Sequence, residues 1–290
     1  MQLSRPASHV RPIVLGIVLG VTAWCTTPTA GAQGSQTDDH AGVLIQGRDL
    51  AMFGGATAAT IALAPFDTRI ARMFSDSGFH ARHPGLETAA KRGSVVTETV
   101  LMGAGATVWG IARLRHDAGT ADVAFHTAES VASAAMFIQV IRGALGRARP
   151  YVIDDVGEKK DADPFDFELL HGFTSFNYRS FPSMHAMASF AAATALTQEM
   201  RWRGTRHRAV IAPLLYTAAT IPPVARMYLD EHWASDIAMG IFLGIFAGQK
   251  VVGYSHAHPD NRVDREFLKP DLRAGISWDA RGASLFVSPF

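Results

Sequence analysis

Apolar residues recur along most of this chain at helical rather than alternating spacing, in segments rich in Ala, Gly, Leu and Met. The pattern predicts helices over about 44–63, 94–113, 121–145, 183–198, 207–220 and 235–252. A shorter amphipathic helix is expected within Asp67 to Phe79, with Ile70, Met73 and Phe74 on one side. No strand–helix alternation and no solenoid period accompany these segments, so the expected fold is an all-α helical bundle. From Asp271 onward the pattern changes to short alternating runs around Asp279-Ala280-Arg281-Gly282, which predicts a short C-terminal β-hairpin. Asp154 to Glu168 is acidic and reads as a solvated loop.

The same pattern raises a membrane question. Leu50 to Phe66 carries no charge and almost reaches spanning length. Gly240, Gly244 and Gly248 form a small-residue ridge suited to close helix contact in lipid or in a soluble core. Asp122, His126 and Glu129 interrupt the segment 121–141, and lipid would penalise them unless they face a protein interior. A spanning bundle and a soluble one both fit.

Composition narrows the partners. In 290 residues, 27 Lys plus Arg stand against 26 Asp plus Glu, a balance that argues against a nucleic-acid surface. The start of the chain reads as an export leader: Arg5 and Arg11, an apolar run from Ile13 to Trp24, then Ala30-Gly31-Ala32 as a cleavage pattern. Removing 1–32 takes both arginines and no acid, leaving 25 cations against 26 acids and a net charge of −1. It also takes Cys25, the one cysteine, so neither disulfides nor a cysteine-built metal site is expected. The expected organisation is a signal peptide (1–32), a polar linker (33–43), a helical catalytic domain (44–255) and a C-terminal tail (256–290), with the protein exported to the periplasm or cell envelope.

Three clusters along the chain carry candidate chemistry. Arg142 and Arg149 lie seven apart, which places them on one helix face, with Pro150 ending that helix. Two guanidinium forks there can hold several oxygens of a tetrahedral anion. Pro182-Ser183-Met184-His185 reads as a helix start, where Ser183 either donates to an anion or merely caps the helix. In the third cluster Arg226 is followed by His232 and Asp236, four apart and so one helical turn. Asp236 can accept from one ring nitrogen of His232 while the other faces a substrate, as a nucleophilic histidine requires. His80 with His83, and His256 with His258, have loose metal-ligand spacing without a third ligand nearby and read as surface histidines. His171 and Phe173 are placed to line an entrance.

In order and spacing these clusters resemble the type 2 phosphatidic acid phosphatase and vanadium haloperoxidase superfamily. Its pattern is Lys/Arg-x6-Arg-Pro, then Pro-Ser-Gly-His, then Ser-Arg-x5-His-x3-Asp. The resemblance implies an all-α bundle and a metal-independent phosphatase acting on phosphomonoesters or on lipid phosphates and diphosphates, with membrane association and no cofactor. It implies that Arg142, Arg149 and Arg226 clamp the phosphate with Ser183 and the Met184 amide. His232 would attack phosphorus to form a phosphohistidine, Asp236 would orient it, and His185 would serve the leaving oxygen and the water. Two alternatives accompany it. A vanadate-dependent haloperoxidase could use the same pocket, although Arg142 stands where those enzymes usually carry lysine. A non-catalytic anion-binding envelope protein is the other, because Met184 replaces the family glycine and Ala225 the usual serine.

Overall fold

The computed structural model describes residues 46–153, 159–161, 163–268, 272–279 and 282–289. The expected leader and linker lie outside the described residues. Helix α1 spans Gly47–Leu63 and runs through a 3-10 turn, Ala64–Phe66, into α2 (Asp67–Phe74). Short helices α3 (Ser77–Arg82) and α4 (Pro84–Gly93) lead to α5 (Glu98–Leu114) and the long α6 (Ala118–Leu145). Beyond the first cluster come α7 (Met184–Trp202), α8 (Arg208–Ala219), α9 (Ile221–Tyr228), α10 (Ala234–Ala257) and α11 (Arg262–Phe267).

The fold is all-α, as the periodicity predicts. The tail forms a hairpin of β3 (Leu272–Asp279) and β4 (Gly282–Pro289) in which Asp279 pairs with Gly282. The acidic stretch expected to be a loop contains a strand: β2 (Lys159–Asp161) pairs antiparallel with β1 (Tyr151–Ile153) just before it. Periodicity alone passes over α4 and α9. Each begins with proline at its first turn, where the missing N–H costs nothing, so a residue that reads as a breaker is a start.

Three helices, α6, α7 and α10, build the centre. Val131 and Ile138 of α6 meet Met187 and Ala191 of α7 and Phe242 and Leu243 of α10. On the other side of α7, Phe190 packs with Tyr216 of α8 and with Ile237 and Ile241 of α10. The glycine ridge explains how close α7 and α10 come. A Cβ at Gly240 would stand 2.5 Å from the Ser183 carbonyl oxygen, and one at Gly244 would stand 2.4 Å from that of Met187. The ridge therefore serves a helix contact inside the bundle, and that contact brings the start of α7 against the start of α10. Asp122, His126 and Glu129 also turn inward, toward α7 and α11.

Among the described residues, three stretches are long and apolar enough to cross a membrane: Gly47–Arg82, Arg208–Tyr228 and Ala234–Ala257. Large apolar side chains stay exposed on the outer faces of the helices, including Leu50, Ile61, Val100, Ile111, Phe137, Val140 and Leu214. An apolar surface of that extent suits lipid better than water.

Candidate active site

The site forms where α6 ends and α7 and α10 begin. Helix α6 ends at Leu145, where the apolar spacing places its end, and not at Pro150. Gly146 adopts a left-handed conformation (φ 56°) and caps the helix, and a Cβ there would collide with the Glu168 carbonyl. Arg142 thus lies in the last turn, while Arg149 lies beyond the helix in an extended segment. The expectation that both share one helix face is corrected, yet both guanidiniums reach the same place. Arg142 donates through Nε and Nη2 to the Arg179 carbonyl at 3.0 and 2.8 Å. Arg149 donates through Nε to the Phe176 carbonyl at 3.1 Å and lies 3.9 Å over the Phe176 ring.

Arg226, in the last turn of α9, completes the cluster, and a carboxylate joins it. Glu231 pairs with Arg149 and, at 3.0 Å, with Arg226 Nη2. Burial, then repulsion from Arg226 and Arg142, lowers the Arg149 pKa to about 9. Guanidiniums crowded in this way gain from any anion that enters between them.

His232 is buried and lies just before α10, not inside it, because Trp233 is the N-cap residue. Asp236 is then the third residue of the helix and accepts from the Trp233 N–H at 2.8 Å. The expected one-turn helical pairing of His232 with Asp236 is replaced by a looser contact, Nδ1 to Oδ2 at 3.6 Å, beyond hydrogen-bond length. Asp236 has stronger partners: Ser180 donates to it through its hydroxyl and Arg147 through Nη1. Burial, reinforced by Arg149 and Arg142 against the pull of Asp236, lowers the His232 pKa to about 3. The ring is neutral, with a nitrogen lone pair available at neutral pH.

Ser183 caps α7, accepting from the Ala186 N–H at 3.4 Å, while its own N–H donates to the Asp236 carbonyl at 3.0 Å. The Met184 side chain packs in the core cluster with Val131 and Ile138. Residue 184 is helical, so no glycine conformation is needed there. Ala225 is buried against Ala90 and Tyr228, with Gly93 close by. His185 donates from Nε2 to the Ser94 carbonyl at 3.2 Å. Its pKa falls to about 4, through burial and then Arg226, with the Ser94 bond opposing.

All eight sequence-predicted residues thus gather around one end of the bundle. The arrangement can bind a tetrahedral oxyanion between arginines and present a neutral imidazole to it. Residues 124–258 match the family model of the PAP2 superfamily. Over that segment, 135 of the 290 residues, the chain is similar to the PAP2 superfamily. A solved structure, that of the first transmembrane PAP2 type phosphatidylglycerolphosphate phosphatase from Bacillus subtilis, is similar at 16% identity, covering 70% of this chain and 98% of that chain with a TM-score of 0.38. No curated protein matches the chain significantly.

Beneath the PAP2 motif residues lies a support that motif reading passes over. Arg147 donates to Pro164 O, Ser235 Oγ, Asp236 and Asp67. Asp67 in turn accepts from the Ser235 N–H and hydroxyl. Arg147 stands in plain view between Arg142 and Arg149, but Asp67 is 80 residues away and nothing in the sequence couples them. Glu231, next to His232, is also outside the PAP2 pattern. His171 pairs with Glu168 and stacks on Tyr178, and Phe173 lies over Gly143.

Proposed function

We propose that this chain is an exported phosphatase of lipid phosphates that works through a phosphohistidine and needs no metal at the reaction centre. One observation carries the reading. A carboxylate, Glu231, next in sequence to His232, pairs with both Arg149 and Arg226, which supports reading the space between these guanidiniums as an anion site.

The substrate phosphate displaces the Glu231 carboxylate and is held by Arg142, Arg149 and Arg226, by the Ser183 hydroxyl and by the Met184 N–H. The bound dianion raises the His185 pKa, so that this ring enters the reaction protonated. His232 attacks phosphorus through its free nitrogen. The P–O ester bond breaks, its electron pair stays on the leaving oxygen, and His185 supplies the proton. His185 then takes a proton from water as the water oxygen attacks phosphorus, the P–N bond breaks, and inorganic phosphate departs. Asp236 draws closer to Nδ1 as charge develops on the His232 ring, a tightening common in catalytic hydrogen bonds. The guanidiniums stabilise the transferring phosphoryl group.

Lipid substrates are favoured by the surroundings of the mouth. Phe165, Phe167, Leu169, Leu170, Phe173 and Phe176 are exposed in the segment beside Arg149. Together with the three spanning-length stretches they support a site opening near a bilayer surface. The test is phosphate release from a panel of lipid and soluble phosphoesters, with His232→Ala as control. Release from lipid phosphates that the variant lacks supports the reading. Equal release by both proteins overturns it, as does halide oxidation by peroxide that appears only after vanadate loading.

A further inference from the structure

A second cluster of polar side chains lies at the other end of the bundle. Glu199 stands fourteen residues beyond His185 on α7, about 21 Å along the helix axis at 1.5 Å per residue. Four elements meet there: α6 brings Asp122, His126 and Glu129; α7 brings Glu199 and Arg203; α10 brings His256; α11 brings Asp264. His126 Nδ1 and His256 Nε2 converge on the same oxygen, Glu199 Oε1, at 2.6 and 2.9 Å. One ligand atom from each of these three residues lies within 4.8 Å of the others. The spacing His256–His258, which suggests surface histidines, is therefore misleading. The two co-ligands of His256, Glu199 and His126, come from helices distant in sequence, and His258 turns to the Tyr254 carbonyl instead.

Two observations point to a cation. First, the side chain of His126 is only 5% exposed, yet its Nε2 has no hydrogen-bond partner; Asp264 Oδ1 lies 3.5 Å away. Glu129 Oε2 is likewise buried and unpartnered. Second, four carboxylates gather here: Arg203 pairs with Asp122 and Glu199, while Asp264 and Glu129 lie on the His126 side. Buried negative charge in that excess calls for compensation. A cation bound by His126 Nδ1, His256 Nε2 and Glu199 supplies it. It also fixes the His126 tautomer with the proton on Nε2, directed at Asp264, the carboxylate–histidine–metal arrangement that orients such ligands.

We propose that His126, Glu199 and His256 bind a divalent transition metal of the zinc class, with Asp264 supporting His126. Two imidazoles and a carboxylate suit zinc, whose bonds of about 2.0–2.2 Å place neighbouring ligand atoms slightly farther apart than the present hydrogen bonds do. The His256 side chain is 25% exposed, which gives an entry path, and the Trp202 ring stacks on it at 4.8 Å. The ion ties α6, α7, α10 and the short α11 together, far from the phosphate site, so its role is structural.

The experiment uses the untagged full chain in detergent, stripped with chelator and then titrated with Zn2+ or Co2+. Expected are one equivalent of Zn2+ per chain, a rise in melting temperature, and visible absorption from tetrahedral Co2+. His256→Ala, at the most exposed ligand, should weaken Zn2+ binding by about 100-fold or more, and Asp264→Asn by about 10–100-fold. If His256→Ala does not fold, Glu199→Gln, nearly equal in shape, replaces it in the same titration. Absence of a Co2+ band and of a Zn2+-dependent melting shift in the wild type overturns the site in favour of a hydrogen-bonded network. Unchanged Zn2+ affinity in the variants overturns the ligand assignment.

Discussion

At the scale of single residues, the site is governed by how charge is buried. Glu231 competes with the anion that Arg149 and Arg226 are arranged to hold. Glu231→Gln keeps the shape and removes the charge, so inorganic phosphate should inhibit this variant more strongly. The expected gain is about tenfold, equivalent to roughly 1.4 kcal/mol; unchanged inhibition would mean that the carboxylate does not occupy the phosphate position. His185 gives a second prediction, with a definite sign. Its pKa is about 4 in the free site, because burial and Arg226 disfavour the imidazolium. An anion placed among the arginines favours the imidazolium and raises that pKa. Binding therefore takes up a proton, is strengthened as pH falls, and loses the extra affinity as pH rises through the bound-state pKa. Sulfate, which does not titrate at mildly acidic pH, should bind there with proton uptake measurable by calorimetry in two buffers. His185→Asn should abolish the uptake.

At the scale of elements, the bundle end is positioned by the α7–α10 contact. Any side chain at Gly244 would press on the Met187 carbonyl and the Ala191 N–H, at 2.4 and 2.9 Å. Gly244→Ala should lower stability by about 1–3 kcal/mol. It should also reduce phosphate release although it touches no substrate, because Ser183 and Asp236 sit at the ends of the two helices it separates. A variant with wild-type melting and turnover would contradict this. Much of this level is legible in the sequence, since the six main helices follow from apolar spacing. Gly146 stops α6 before Arg149 and Trp233 starts α10 after His232, near the ends that periodicity predicts, so it is the helical reading of the Arg142–Arg149 and His232–Asp236 spacings that fails. The candidate residues are legible all the same, because their order and spacing along the chain form a pattern. The partners that hold them, Asp67 with Arg147 and Ser180 with Asp236, depend on contacts distant in sequence and carry no local signal.

At the scale of the whole molecule, near-neutral composition conceals two separations. Apolar surface gathers on α1, α5, α6 and α8, and charge gathers at the two ends of the bundle. Expressed from the full sequence, the protein should sediment with membranes and resist high-salt extraction, since apolar contact rather than charge would hold it there. Release by salt alone would point to a peripheral protein and weaken the case for lipid substrates.

The central claim is that neutral His232 becomes the phosphoryl carrier. The most direct measurement is a rapid alkaline quench of enzyme mixed with substrate labelled in its phosphate, followed by peptide mapping. The account predicts label on His232 at early times, accumulating when His185→Asn slows hydrolysis and missing from His232→Ala. Steady phosphate release without label at His232, in wild type and in His185→Asn alike, would contradict it.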